Sequence, residues 1–181
     1  KTRAAPLPLP AFVQAYYRGV GEEDLQARDS AAFAAAAAGA LRFGAVRPAG
    51  EPRVRVFNPQ LQRDGWESPH TIVEVVTEDM PFLVDSLAVV LGDSRLPIQL
   101  MIHPVIRIAR DRRGRLLSMA EHEASTTAFK HFDIRRSSQP CDLHGMREMR
   151  ESTGRGQTAT LCEHESNARC NASEAVADVL I

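Results

Sequence analysis

A β-branched run, "HTIVEVVT", gives way at residues 77–87 to "TEDMPFLVDSL", and this junction carries the side chains best placed for chemistry. Proline favours the first helical position and keeps the residue before it outside, so Met80 falls before the helix and Pro81 opens it. Asp79 then lies beside the free N–H groups of a helix start, where negative charge is favoured. Those N–H groups suit a carboxylate, and a pocket completed by a neighbouring subunit would hold one. Asp79, Met80, Phe82, Asp85 and Ser86 are therefore the candidate ligand-binding residues. The alternative is a turn that only redirects the chain, with Asp85 and Ser86 solvated on the polar helix face.

No other constellation carries comparable chemistry. His70 and His103 flank strands with no matched carboxylate or cysteine at a telling spacing, and they read as hydrogen-bonded structure. Cys141-x-x-His144, Cys162-x-His164 and Cys170 fit no common zinc finger or ribbon, so no metal site is assigned. No glycine-rich dinucleotide fingerprint follows a strand, and Lys1 and Lys130 are the only lysines. No catalytic residue and no cofactor is therefore assigned to this stretch of chain.

The bulk numbers agree with a soluble module. The chain has 181 residues, 44% hydrophobic and 25% charged, with a formal net charge of −1, which suits one or two small globular domains. Near-neutral charge gives no electrostatic basis for binding nucleic acid or an anionic membrane. No apolar run approaches the roughly 20 residues of a membrane span, and three prolines interrupt the opening "KTRAAPLPLPAF". Cytoplasm is the expected location. The three cysteines, odd in number and all in the last third, are expected to stay reduced.

Periodicity gives the elements that must position the corner. "PAFVQAYYRGV" and "EEDLQAR" read as helices, and Asp29-Ser30 caps an alanine-rich third, "AAFAAAAAGALRFG". "RPAGEP" reads as a linker, placing a boundary between a helical segment, residues 1–46, and the strand-rich region after it. "RVRVFNP" reads as a half-buried or edge strand, "NPQLQRDGW" as a turn with Asp64-Gly65 at its tip, and "HTIVEVVT" as a strand. Leu83, Val84, Leu87, Val90 and Leu91 form an apolar helical stripe after the corner. "PIQLMIHPVIRIARD" reads as a long strand bent at Pro104, Gly114 as a turn with positive φ, and "LLSMA" and "AFKHFDIRR" as further strands. Strand, helix, strand, strand is the first part of a βαββαβ unit, an α+β fold whose antiparallel sheet carries its helices on one face.

Four collinear blocks, "YYRGVGEEDL", "VRVFNP", "GWESPHTIVEVVTEDMPFLVDSL" and "IHPVIRIARDRRGRL", resemble the N-terminal region of the large bacterial NAD-specific glutamate dehydrogenases. The resemblance implies an ACT-like regulatory domain over residues 47–136, outside the catalytic domain. It implies a parent enzyme that oxidatively deaminates L-glutamate to 2-oxoglutarate with NAD as cofactor, whereas this module alone is not an enzyme. The partners implied are a second copy (a homo-oligomer), the catalytic domain of the same parent chain, and an amino-acid effector. Amino-acid-binding ACT domains usually have glycine just after the proline of this corner. Phe82 stands there, and its ring is expected to fill the ligand's space. A departure from the family pattern itself is Arg95, at a helix-to-strand turn where glycine is expected.

Residues 137–181 depart from the family pattern. Large aliphatic anchors nearly vanish, and the Arg, Ser, His, Cys, Gly and Thr richness resembles a shifted reading frame of a GC-rich gene. Such a stretch is expected to be poorly ordered, because little burial offsets about 1–2 kcal/mol per residue of backbone entropy.

Overall fold

Alanine makes the third helix thin, and in the computed structural model that thinness lets the N-terminal helices lie close on a sheet. The structure describes residues 9–26, 29–93, 95–119 and 125–135; the tail 137–181, with its cysteines, lies outside them. Helices α1 (Leu9–Tyr17), α2 (Glu22–Gln26) and α3 (Ser30–Gly44) precede β1 (Arg53–Phe57), α4 (Leu61–Asp64), β2 (His70–Glu78) and α5 (Leu83–Asp93). Strands β3 (Ile98–Ile102), β4 (Val105–Arg110), β5 (Leu116–Met119) and β6 (Ser125–Arg135) complete the order. Asp29 caps α3 as expected, its carboxylate accepting from the amides of Ala31 and Ala32 at 3.3 Å each.

The strands form one antiparallel sheet in the order β1-β2-β6-β4-β5, with β3 also paired to β6. Both β2 and β4 run antiparallel to β6, so they are parallel to each other with β6 between them. That split crossover through α5 is the arrangement a βαββαβ unit requires. Leu83, Leu87, Leu91 and Leu96 pack with Val73, Val75, Phe132 and Ile134 on one sheet face. Each such buried side chain stabilises by about 1.5–3 kcal/mol. On the opposite face Phe12, Tyr16, Ala37, Ala40 and Leu41 share a cluster with Val76, Ile106, Ile108 and Phe129. The helical N-terminal segment is therefore the second covering layer of the same sheet. A Cβ on Gly44 would stand 2.6 Å from the Phe129 ring, which shows how closely α3 approaches.

Local departures from the sequence expectations have local causes. The strand expected over 97–111 is interrupted at His103-Pro104, where its bend was expected; both halves, β3 and β4, run antiparallel to β6, and the Pro104 carbonyl accepts the Phe129 amide at 3.0 Å. Asp64-Gly65 closes a helical turn rather than tipping a hairpin. Gly65 takes φ 80 as the left-handed cap of α4, and Asp64 accepts the Gln60 amide at 2.8 Å. The stretch read as a linker is packed: Arg47 is 2% exposed and its amide donates to the Gly114 carbonyl at 2.9 Å. Gly114 has the expected positive φ, 75°, and any side chain there would collide with Arg47. Arg95 has φ 57, the left-handed backbone that its turn demands.

Candidate functional site

Strand β2 ends at Glu78 and delivers the chain to the corner. Pro81 stands in the turn before the helix rather than at its first position, because Phe82 has φ 62 and α5 begins at Leu83. The Phe82 carbonyl accepts the Ser86 amide at 2.9 Å, which starts the helical ladder. Left-handed backbone costs a residue with a Cβ roughly 1–2 kcal/mol. The ring does not fill the turn as expected; Phe82 is 75% exposed. Asp79, Met80, Asp85 and Ser86 are exposed as well, so each of the five named residues reaches solvent at this junction. Val89, 60% exposed, continues it along α5.

Lys130 lies beneath this corner and was passed over by sequence reasoning. It pairs with Val75 across β2–β6 and is 4% exposed. Burial lowers its amine from the ordinary lysine value, and the charge of Asp79 acts in the opposite direction. The available signal was a lysine, one of two in the chain, set between Phe129 and His131 inside a strand.

A second polar cluster lies between the sheet and the N-terminal helices. Arg55 donates from Nε to Glu74 Oε2 at 2.6 Å. His131 stands 3.4 Å from Glu74 Oε1 through Nδ1 and 2.8 Å from Asp133 Oδ1 through Nε2. His70 adds a longer contact, 3.5 Å, to Asp133 Oδ2. Burial opposes charge on His131, yet its bonds to Asp133 and Glu74 outweigh burial and raise its pKa to about 9. Burial and then Glu74 push the Tyr16 phenol well above its usual value. Two cations, Arg55 and His131, thus offset two carboxylates, Glu74 and Asp133. Tyr16 meets the His131 ring edge-on at 6.3 Å, and Trp66 lies 6.5 Å from it. Glu74, His131 and Asp133 are 3% exposed or less, so this cluster fastens the helical layer to the sheet rather than meeting a substrate. His103, by contrast, is exposed at the β3–β4 break. Among the described residues no group of histidine, cysteine, aspartate and glutamate is arranged to hold a metal ion. None of their helices is long and apolar enough to cross a membrane.

The family described as "Glutamate dehydrogenase, ACT1 domain" matches residues 12–149, which takes in α1 as well as the sheet. The chain is 31% identical over 140 residues to the NAD-specific glutamate dehydrogenase of Halomonas elongata, covering 75% of this chain and 9% of that protein. It is 41% identical over 66 residues to the NAD-specific glutamate dehydrogenase of Pseudomonas aeruginosa, covering 36% of this chain and 4% of that protein. The matches thus span less than a tenth of the length of these curated relatives. No solved structure matches the chain. The chain belongs to the glutamate dehydrogenase ACT1 domain family.

Proposed function

We propose that this ACT1 domain is a non-catalytic assembly and regulatory module of an NAD-specific glutamate dehydrogenase, in which two copies meet through the outward face of the strand–helix corner. The parent enzyme oxidatively deaminates L-glutamate to 2-oxoglutarate with NAD at a catalytic domain elsewhere in its chain. The observation that supports assembly is Phe82, an aromatic ring 75% exposed on left-handed backbone. A ring that is solvated and also strains its own backbone stabilises little within one copy; contact with another surface gives it a role. Met80, 45% exposed, and Val89 extend the apolar surface, and Asp85 and Ser86 supply its polar rim. Light scattering on eluting wild-type chain and on Phe82→Ser/Val89→Ser tests this. A dimer lost in the variant supports the proposal, and a wild-type monomer at every concentration refutes it.

Amino-acid sensing at the same corner is a second reading, favoured by the buried Lys130 beneath the exposed Asp79. In this reading the two divide an amino acid between them, ammonium on Asp79 and carboxylate toward Lys130. A thermal-shift panel of amino acids tests it: stabilisation that disappears in Asp79→Ala supports sensing, and a flat panel rejects it.

A further inference from the structure

Positive charge collects behind the corner, where the α3–β1 connection meets the β4–β5 turn. Arg47 is 2% exposed, so its guanidinium lies inside the protein. Nη1 donates to the carbonyls of Pro48 and Glu51 at 3.3 Å each. Nη2 stands 3.6 Å from Glu78 Oε1, too far for a good hydrogen bond, and Nε has no acceptor among the described residues. Arg110 gives Nη1 to the Gly114 carbonyl at 2.9 Å, and its buried Nε and Nη2 likewise have no acceptor among the described residues. That same carbonyl accepts the Arg47 amide, which brings the two arginines together. Arg53, bonded to the Val46 carbonyl at 2.7 Å, is the third. Burial and then the charges of Arg47 and Arg53 lower the Arg110 pKa to about 10, as close like charges must. Thr127, fully buried opposite Glu78 in the β2–β6 register, has a hydroxyl with no hydrogen bond to a described residue.

Native proteins leave few buried donors unmatched, and clustered exceptions call for a missing partner. The donors here are guanidinium nitrogens, whose planar fork matches carboxylate and phosphate oxygens. Among the described residues Glu78, which stands against Arg47, is the one carboxylate paired with any of these three guanidinium groups, so positive charge is in excess here. We infer that Arg47, Arg53 and Arg110 form a binding site for a small dianion, a phosphate or a dicarboxylate, which Glu78 covers until the ligand displaces it. Glu78 suits that role because its side chain is 52% exposed and held by the Gly50 amide at only 3.3 Å. Swinging it outward frees that amide and Arg47 Nη2 for the ligand. The site does not use Phe82, so its failure leaves the assembly proposal standing.

Inorganic phosphate, succinate and chloride at matched ionic strength, titrated into the chain by calorimetry and thermal shift, test the inference. Phosphate or succinate raises the melting temperature where chloride does not; a response to one alone assigns the phosphoryl or the dicarboxylate class. Arg110→Gln weakens binding about tenfold. Glu78→Gln strengthens it roughly three- to fivefold, because the competing carboxylate is gone. This second variant decides the matter even if Arg110→Gln folds poorly. Equal responses to all three salts, or Glu78→Gln affinity no higher than wild type, would overturn the site and leave its donors to water.

Discussion

His131 Nε2 lies 2.8 Å from Asp133 Oδ1, two residues along the same central strand, with both side chains buried. Glu74 holds the other ring nitrogen, so the imidazolium is clamped between two carboxylates. The folded pKa, about 9, lies above the ordinary 6.5. The charged ring therefore stabilises fully below about pH 6.5, and that contribution fades as pH rises toward 9. A shift of this size corresponds to on the order of 3 kcal/mol. Urea unfolding of wild type and His131→Gln from about pH 6 to 9.5 checks it. The gap between the two proteins should shrink with rising pH; parallel profiles would contradict the clamp.

Gly44→Ala should destabilise the domain by about 1–3 kcal/mol, although alanine is the better helix former. The new methyl would stand 2.6 and 2.9 Å from the Phe129 ring, so α3 must lift from the sheet. Chemical denaturation measures the loss. A stability gain would mean that α3 is not seated on β6.

Arg95→Gly should stabilise the domain by up to about 1 kcal/mol, since glycine adopts the left-handed backbone without a Cβ clash. Arg95 is exposed at φ 57, so little packing is lost. Arg95→Ala, which keeps the Cβ, should show no such gain. Thermal melts of the two variants separate backbone strain from side-chain contacts.

Much of this fold was legible because its signals are local. The Asp29 cap, the alternation of β1 and β6, the β-branched run of β2, the stripe of α5 and the strained Arg95 turn each depend on a few adjacent residues. What sequence periodicity leaves open is which face of a strand is inner. In β1 the arginines, not Val54, turn toward the helices, because Glu74 on the neighbouring strand awaits Arg55 at 2.6 Å. Asp64-Gly65 serves a hairpin tip and a helix end equally well, and the bond from the Gln60 amide to Asp64 decides for the helix. The five corner residues are each exposed, and the left-handed φ of Phe82 is a feature that no residue type announces. Lys130 and the Arg47 cluster depend on strand pairing and on a packed connection that proline and glycine made look like a linker.

The most direct test of the assembly claim places a photoreactive phenylalanine analogue at Phe82 in the full 181-residue chain. Irradiation should yield a covalent dimer whose cross-link maps to the α5 face of the second copy. The same analogue at Leu61, 56% exposed beyond the sheet edge, should give little. Only intramolecular or solvent-quenched products at Phe82, with yields no higher than at Leu61, would contradict assembly through this corner.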